Sequence, residues 1–186
     1  MMRVGQDIEA QQNRPNRIRW LAADGTRPLS EQIAEGVLRG PEPGYDIVMA
    51  NWLFDHATSL ADLEAMWRNV AANLKPGGKF LGVRATNIRA PYMSVGKYGV
   101  TFTEVEEIPG PGLKYVCGCL TQPPFAFGAT SMESTYSLAD DIPRGLGLVD
   151  FAVIPAAETE LVRNDTEFWA DFVNDPNLAV VVAKKA

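Results

Sequence analysis

The sequence predicts an α/β fold in which parallel strands are joined through a helix. Residues 45–50 include the unbroken apolar run Ile-Val-Met-Ala, which is typical of a strand buried on both faces of a parallel sheet. From Leu60 to Leu74 apolar residues recur at spacings of three and four, as in an amphipathic helix. A second apolar run begins at Phe80. A strand, a helix and a strand in succession form a crossover, which lays its two strands parallel.

Both ends of the predicted helix carry boundary signals. Ser59 is placed to cap the first turn, and Asp62 is placed three residues later to return the hydrogen bond. The sequence Lys-Pro-Gly-Gly at 75–78 ends the helix, because proline cannot continue it and glycine tolerates the reversal of the chain. The carboxyl ends of such strands open into a crevice where ligands bind, so 51–56 is the first candidate for a functional site.

Composition limits the number of domains and the class of partner. The chain has 186 residues, of which 46% are hydrophobic, and this is enough for one core but small for two domains. Its formal net charge is -6 and it has no basic cluster, which argues against nucleic acid and anionic membranes as partners. We find no signal sequence and no membrane-spanning run, and therefore expect a soluble cytoplasmic protein with a small-molecule partner.

Cysteine and histidine are too few for a metal site. Cys117 and Cys119 are two apart, which is a spacing poorly suited to a mutual disulfide, and we interpret them as reduced thiols used as small apolar residues. His56 is the single histidine, so a site of several histidines is excluded and no metal is expected.

Two segments resemble a known enzyme family. The sequences YDIVMANWLFDHA (45–57) and NLKPGGKFLGV (73–83) are similar to the second half of class I S-adenosylmethionine-dependent methyltransferases, in the small-molecule branch of toxoflavin-type and fungal secondary-metabolite enzymes. The resemblance continues through the remainder of the chain. It implies a Rossmann-like sheet with strand order 3-2-1-4-5-7-6, in which the last strand is antiparallel beside the Phe80 strand, and S-adenosylmethionine as cofactor.

The start of the sequence departs from that family. Residues 1–12 have Met1, Val4 and Ile8 on one helical face, and we interpret them as the helix that follows the second strand. The first two strands, the glycine-rich turn and the acidic residue that ends strand two have no counterpart, since no GxGxG occurs anywhere. We therefore expect residues 1–186 to form one incomplete methyltransferase domain that lacks its first two strands and is N-terminally truncated.

The next segment is expected to hold the third strand and part of the cofactor site. Residues 17–22 fit a strand, and 28–38 fit a helix. The resemblance places Asp24 opposite the adenine amino group, with Gly25 beside it. The alternative is an Asp-Gly turn without a ligand.

An insertion over 84–135 is expected on the substrate side of the crevice. Residues 84–99 are irregular, and three strand-like runs follow at 100–107, 113–121 and 125–133, separated by proline-rich turns. These strands predict an antiparallel meander that covers the crevice. Closing elements are then predicted: a helix over 137–145 capped by Ser137, a strand over 148–155, a helix over 166–173 and a strand over 178–183.

Four residues at the end of the first strand are the main candidates for chemistry. Asn51 and Trp52 are assigned to the wall of the cofactor site. Imidazole titrates near neutrality, so His56 is the candidate base for an acceptor that must lose a proton. A solvated or capping histidine is the alternative, and Asp55 either orients His56 or begins the helix.

Aromatic residues of the insertion are candidates for binding the acceptor. They are Tyr92, Tyr98, Phe125 and Phe127. The alternative is that these rings pack in the core.

The sequence is compatible with three functions to different degrees. The first is methyl transfer from S-adenosylmethionine to a small, secondary-metabolite acceptor. The second is a non-catalytic methyltransferase-like protein that acts through a partner or is not competent alone, in which a homo- or hetero-oligomer covers the missing strands. A nicotinamide-dependent oxidoreductase is disfavoured because the dinucleotide fingerprint is absent.

Overall fold

A computed structural model describes residues 2–12, 18–32 and 44–186. Within these ranges the chain forms seven strands. They are β1 (Tyr45–Asn51), β2 (Leu74–Ala85), β3 (Val100–Ile108), β4 (Gly112–Cys119), β5 (Phe125–Met132), β6 (Leu148–Ile154) and β7 (Leu178–Lys185).

Helices connect and flank these strands. They are α1 (Met2–Gln11), α2 (Leu29–Gln32), α3 (Leu60–Asn73), α4 (Pro91–Val95), α5 (Glu133–Tyr136), α6 (Asp141–Gly145), α7 (Glu160–Asn164) and α8 (Ala170–Asn174), with a 3₁₀ turn at Ala156–Glu158. In the described part of the chain, each helix falls short of the length and hydropathy that a membrane crossing needs.

The first sheet is mixed and has the order β1-β2-β7-β6. β1 and β2 are parallel, with Val48 opposite Phe80 and Asn51 opposite Val83, so the predicted crossover is confirmed. β7 is antiparallel to both β2 and β6. This confirms the expected position of the last strand, and the four strands correspond to 4-5-7-6 of the expected order.

The second sheet is the predicted meander. Its order is β3-β4-β5, with both pairs antiparallel. Residues 113, 115, 117 and 119 of β4 share one face with 125, 127, 129 and 131 of β5. We call this the inner face, because it carries buried Tyr115, Cys117 and Ala129. Both cysteines are free, and burial raises the pKa of the Cys117 thiol to about 11.

The helix α3 holds the largest core against the first sheet. Phe54, Trp67 and Phe80 are at most 1% exposed, and the Phe54 and Trp67 rings stack with centroids 4.1 Å apart. Ser59 caps α3 as predicted, since its hydroxyl accepts from the Asp62 N–H at 3.1 Å. The Asp62 carboxylate accepts from the N–H and the hydroxyl of Thr58, and hydrogen bonding to Thr58 and Ser59 lowers its pKa.

The prediction that β1 is buried on both faces is wrong. Val48 and Ala50 face the α3 core, whereas Ile47 and Met49 on the opposite face are each 59% exposed. An unbroken apolar run predicts burial of both faces, but α3 covers only the face that carries Val48 and Ala50.

The predicted strand at 17–22 is wrong for its described residues, 18–22. The Ile18 N–H and the Trp20 Nε1–H both donate to the Glu9 carboxylate of α1, at 2.9 Å each. A strand requires a neighbouring strand to which its backbone is hydrogen-bonded. In the described ranges this segment instead bonds to the Glu9 side chain of α1. The predicted helix at 28–38 begins as α2, and its remainder lies outside the described residues.

Three further boundaries differ. Ser137 ends α5 and does not cap a helix, since its N–H donates to the Glu133 carbonyl at 2.8 Å. The next helix begins at Asp141, where Pro143 in the first turn needs no hydrogen-bond acceptor for a missing N–H. The helix predicted at 166–173 begins only at Ala170, and 84–99 contains α4 within its irregular backbone.

Candidate functional site

The candidate site begins where β1 ends. The Trp52 N–H donates to the Val83 carbonyl at 3.0 Å, which continues the parallel ladder by one step. Trp52 then takes a positive φ of 62°, which a non-glycine residue adopts at a cost, and its indole is left 38% exposed. Asn51 is also exposed. The two residues assigned to the cofactor wall are therefore exposed at the carboxyl end of β1.

The loop after β1 is fixed by a buried residue on each side of an exposed one. Phe54 is fully buried against Trp67, and Ala57 is fully buried as well. His56 lies between them and is exposed. The apolar anchors therefore set the position of an imidazole that itself remains accessible.

A buried carboxylate lies directly beside His56. Asp55 is 2% exposed, and its carboxylate oxygens accept from the Ala85 N–H at 3.3 and 3.2 Å. The Ser131 hydroxyl donates to Asp55 Oδ1 at 2.5 Å, and the Tyr115 hydroxyl lies 3.1 Å from Ser131 Oγ. We call these four residues (Asp55, Ala85, Ser131 and Tyr115) the Asp55 clamp. The clamp joins the loop after β1 to the end of β2 and to the inner face of the second sheet.

Charge in the clamp is only partly compensated. Burial raises the pKa of Asp55, while the hydrogen bonds from Ser131 and Ala85 oppose this change. Burial likewise lowers the pKa of Arg84 to about 10. Arg84 is 1% exposed, and its Nη2 donates to the Ser134 carbonyl at 2.6 Å, but within the described residues its Nε and Nη1 have no hydrogen-bond partner. The Arg84 guanidinium lies 5.8 Å from the Trp67 ring centroid.

The second sheet brings aromatic rings to His56. The Thr130 N–H donates to the Asp55 carbonyl at 2.9 Å, and His56 and Thr130 form an isolated parallel bridge. This contact sets the His56 ring 6.4 Å from the Phe127 ring. Phe127 stacks on Phe125 at 6.2 Å, and the two rings are 42% and 56% exposed. The structure thus brings three of the predicted site residues together around an open space.

The turn that contains Asp24 packs against Leu53 of the loop after β1. Asp24 Oδ1 accepts from both the N–H and the hydroxyl of Thr26, at 2.9 and 2.7 Å, and these bonds lower the pKa of Asp24. Asn69 of α3 donates to the Gly25 carbonyl at 2.9 Å, and a Cβ at Gly25 would lie 3.0 Å from Leu53 Cδ1. Asp24 therefore forms the local turn considered in the sequence analysis, and that turn is packed beside the crevice with its carboxylate exposed.

Two predicted acceptor-binding residues lie away from this group. The Tyr92 hydroxyl donates to the Asp175 carbonyl at 2.6 Å and accepts from the Asn177 N–H at 2.9 Å. Burial raises the pKa of Tyr92 to about 12. The Tyr98 hydroxyl donates to the Phe168 carbonyl at 2.9 Å. Both hydroxyls therefore connect α4 and its neighbouring loop to the C-terminal segment.

The clamp was missed by sequence reasoning, apart from Asp55 itself. Its partners, Ala85 and Ser131, are 30 and 76 residues from Asp55 along the chain. One signal in the sequence could have indicated it: Asp55 directly follows an apolar residue, Phe54, in the loop before α3. A carboxylate that is buried there needs hydrogen-bond donors, because an unpaired buried charge is costly. Within the described residues, no group of three His, Cys, Asp or Glu side chains converges on a point that would hold a metal ion.

The residues near Leu53 carry groups of the kind that can contact an adenosine. Asp24 offers an exposed carboxylate with a lowered pKa, which can accept from an exocyclic amino group. Leu53 and the exposed Trp52 indole offer apolar surface for a flat ring. The exposed His56 imidazole can accept a proton.

Comparison with solved structures identifies the fold. The chain matches the CcbJ methyltransferase from Streptomyces caelestis with a TM-score of 0.56 at 14% identity, over 100% of this chain and 75% of that one. It matches an S-adenosylmethionine-dependent methyltransferase from Clostridium acetobutylicum ATCC 824 with a TM-score of 0.54 at 10% identity, over 97% and 69%. The PH0226 protein from Pyrococcus horikoshii OT3 matches with a TM-score of 0.57 at 13% identity, over 100% and 69%.

These matches show a Rossmann-like α/β fold shared with S-adenosylmethionine-dependent methyltransferases. Identities this low establish the fold alone. No protein-family model matches the sequence. A search of curated proteins likewise finds no match.

Proposed function

We propose that this chain transfers a methyl group from S-adenosylmethionine to a small-molecule acceptor. The observation that carries the proposal is the match of the sheet to methyltransferase structures at TM-scores of 0.54 and 0.56. The exposed imidazole at the carboxyl end of β1 supports it, because open α/β sheets bind ligands at that end.

We assign the cofactor's adenosine to the surface formed by Asp24, Gly25, Asn51 and Trp52. Asp24 would accept from the adenine amino group, and the Trp52 indole would cover the ring. The Asn51 side chain is exposed at the strand end, where it can reach the ribose hydroxyls or the donor region. Gly25 packs against Leu53, which follows Trp52 in the chain, and this contact holds the Asp24 turn beside the end of β1.

S-adenosylmethionine supplies a methyl group already activated on a sulfonium. The protein then has to hold the acceptor atom in line with that methyl group, and positioning of this kind lowers a barrier by up to about 7 to 11 kcal/mol. His56 takes the proton of a phenol or hydroxyl acceptor at its imidazole. The neighbouring Asp55 is hydrogen-bonded into the clamp, so its role is to fix the backbone that carries His56.

The acceptor side is assigned to the exposed rings of β5. Phe125 and Phe127 stack parallel to within 21°, which presents an apolar edge to a planar acceptor. Tyr92 and Tyr98 are left out of this wall, because their hydroxyls bond to the C-terminal segment. A flat secondary metabolite of the toxoflavin-type or fungal kind fits such a wall.

Cofactor binding is the first experiment. Isothermal titration of the purified chain with S-adenosylmethionine should release heat, and Asp24→Ala should weaken binding about tenfold, as expected for loss of one hydrogen bond to a charged group. The matched control is Glu64→Gln, which alters an exposed pair on α3. Absence of heat at millimolar cofactor would exclude activity of this chain.

Transfer itself is tested with a labelled methyl group and a panel of phenolic and hydroxyl acceptors. His56→Ala should lower the rate by about 10² to 10⁴-fold while leaving cofactor affinity unchanged. Added imidazole should restore part of the rate, since His56 is the single histidine. An unchanged rate would remove His56 from the reaction.

A non-catalytic role through a partner is the second candidate. Ile47 and Met49 favour it, because both are 59% exposed on one face of β1. We propose that a homo- or hetero-oligomer covers this face. Light scattering of the wild type and of an Ile47→Ser/Met49→Ser variant tests it, and a monomer in both would contradict a second copy as the cover.

A further inference from the structure

A cavity separate from the candidate transfer site lies at the carboxyl end of β2. Its volume is about 510 Å³, which is within the range of small-molecule sites. Its walls come from the residues after β2, from the β3–β4 hairpin and from α5, and they include Ile88, Arg89, Glu107, Leu113 and Tyr136.

The lining of this cavity includes neither His56 nor the Phe125 and Phe127 rings. Leu113, in the cavity wall, lies directly opposite Ser131 across the β4–β5 pair. Ser131 turns its hydroxyl to the buried Asp55 carboxylate. Leu113 thus joins the cavity wall to the clamp, while the residues that would bind a ligand here are not those assigned to methyl transfer.

The walls of the cavity are held in place. Asn87 Nδ2 donates to the Asp175 carboxylate at 2.7 Å, and Asn87 Oδ1 accepts from the Arg89 N–H at 3.0 Å. Ile88, between them, is 2% exposed. On the opposite wall, the Glu133 N–H donates to the Pro111 carbonyl at 2.8 Å, which ties α5 to the hairpin. The cavity is thus formed before any ligand binds.

Two opposite charges meet at the cavity without a close bond. Arg89 Nη2 lies 3.8 Å from Glu107 Oε1, which exceeds hydrogen-bonding distance. Their side chains are 56% and 83% exposed, and exposed pairs of this kind contribute little to stability. Both charges influence the pKa of Tyr136, which burial raises, so the phenol lies near the same pair. Guanidinium and carboxylate are both free to take a better partner.

The surrounding surface is apolar. Ile88, Ile108 and Leu113 contribute aliphatic side chains, and the Tyr136 ring adds an aromatic face. A simple anion would meet Glu107, and a simple cation would meet Arg89, so each would pay a like-charge penalty. A ligand that carries both charges at one end and an apolar group at the other meets neither penalty.

We propose that this cavity binds a small zwitterion with an apolar or aromatic body, such as an α-amino acid. Its carboxylate pairs with the Arg89 guanidinium, and its ammonium pairs with the Glu107 carboxylate. Its side chain contacts Ile88, Ile108 and Leu113 beside the Tyr136 ring.

The test uses three matched probes on the full chain. L-Phenylalanine carries both charges, 3-phenylpropanoate lacks the ammonium group, and 2-phenylethylamine lacks the carboxylate. Isothermal titration should show that L-phenylalanine binds about tenfold or more tighter than either single-charge probe, as expected for one charged hydrogen bond. Equal affinity for 3-phenylpropanoate and L-phenylalanine would overturn the proposal in favour of an anion site.

Variants of the two charges assign the binding to this cavity. Arg89→Gln should remove the advantage of L-phenylalanine over 2-phenylethylamine, and Glu107→Gln should remove its advantage over 3-phenylpropanoate. Arg68→Gln, which alters an exposed ion pair on α3, is the matched control and should change nothing. Circular dichroism melting checks that each variant folds. Binding that persists in both folded cavity variants, or no binding of L-phenylalanine at about 10 mM, overturns the proposal.

Discussion

The two ends of the inner face of the β3–β5 sheet differ in how they are closed. At one end Phe125 and Phe127 are exposed beside an exposed His56. At the other end Leu113 forms part of a cavity with Ile88, which is 2% exposed. Between the two lies the Asp55 clamp, and its four members are buried.

Polar groups of the clamp and of the two ends therefore differ in their surroundings. The polar groups of the clamp bond to one another and connect the two sheets, so the clamp stabilises the fold. The polar groups at the two ends, His56 at one and Arg89 and Glu107 at the other, are exposed. The contrast predicts that changes in the clamp lower stability, while changes at the ends lower binding.

The largest effect is expected from Asp55→Ala. This change leaves the Ala85 N–H and the Ser131 hydroxyl buried without their acceptor, and each unsatisfied group costs about 1–3 kcal/mol. We expect the free energy of unfolding, measured with urea, to fall by about 3 kcal/mol. Asp55→Asn is the control, since its amide oxygen keeps one acceptor and should cost less. Unchanged stability of Asp55→Ala would mean that the clamp does not join the sheets.

A smaller loss is expected from Ser131→Ala. The hydroxyl bonds to both Asp55 and Tyr115, but a carboxylate with two oxygens keeps its Ala85 contacts. We expect a loss of about 1–2 kcal/mol in urea unfolding. Tyr115→Phe removes the outer bond alone and should cost less than Ser131→Ala. The reverse order would show that Tyr115, and not Asp55, is the main partner.

The pH dependence of stability sharpens the comparison further. The pKa of Asp55 is raised from 3.8 by burial, so the folded state binds this proton more tightly than the unfolded state does. The stabilisation that protonation of Asp55 gives to the folded state is therefore complete below about pH 3.8. It is lost as the pH rises through the raised pKa of Asp55 in the folded state. Each tenfold difference in proton affinity corresponds to about 1.4 kcal/mol.

Asp55→Asn cannot ionise and provides the reference for that measurement. In urea unfolding between about pH 3.5 and 7, the wild type should lose stability relative to Asp55→Asn as the pH increases. A difference that stays constant, or one that grows in favour of the wild type, would show that the hydrogen bonds outweigh burial at Asp55.

Local signals account for the part of the fold that the sequence predicted. Ser59, the apolar spacing of α3 and the Lys-Pro-Gly-Gly sequence at 75–78 act on residues within one or two turns of themselves. The helix ends at Asn73 as this sequence predicts, but the structure includes 75–78 in β2 and has no separate turn there. These signals placed the crossover, and the proline-rich turns placed the β3–β5 meander. The antiparallel position of β7 came from the family resemblance, since no local pattern sets the direction of a strand.

The rest depends on residues that are distant in sequence. The segment after residue 17 has the composition of a strand, but Ile18 and Trp20 bond to Glu9 in α1. The Asp55 clamp spans up to 76 residues, and no periodicity signals such a contact. Proximity of His56 and Phe127 likewise follows from the bridge between His56 and Thr130, which local patterns do not contain.

The smallest effect on stability is expected at the open end. Phe127 is 42% exposed, so Phe127→Ala should change the free energy of unfolding by at most about 0.5 kcal/mol. Phe102, on β3 of the same sheet, is 5% exposed, and Phe102→Ala should cost about 3 kcal/mol or more. Acceptor affinity should show the opposite order. Loss of a stacking ring beside His56 should raise the KM for a planar acceptor about two- to tenfold, because an aromatic contact contributes about 0.5–1.5 kcal/mol beyond its buried area. If Phe127→Ala instead lowers stability as much as Phe102→Ala and leaves the KM unchanged, the exposed rings belong to the core and the acceptor binds elsewhere.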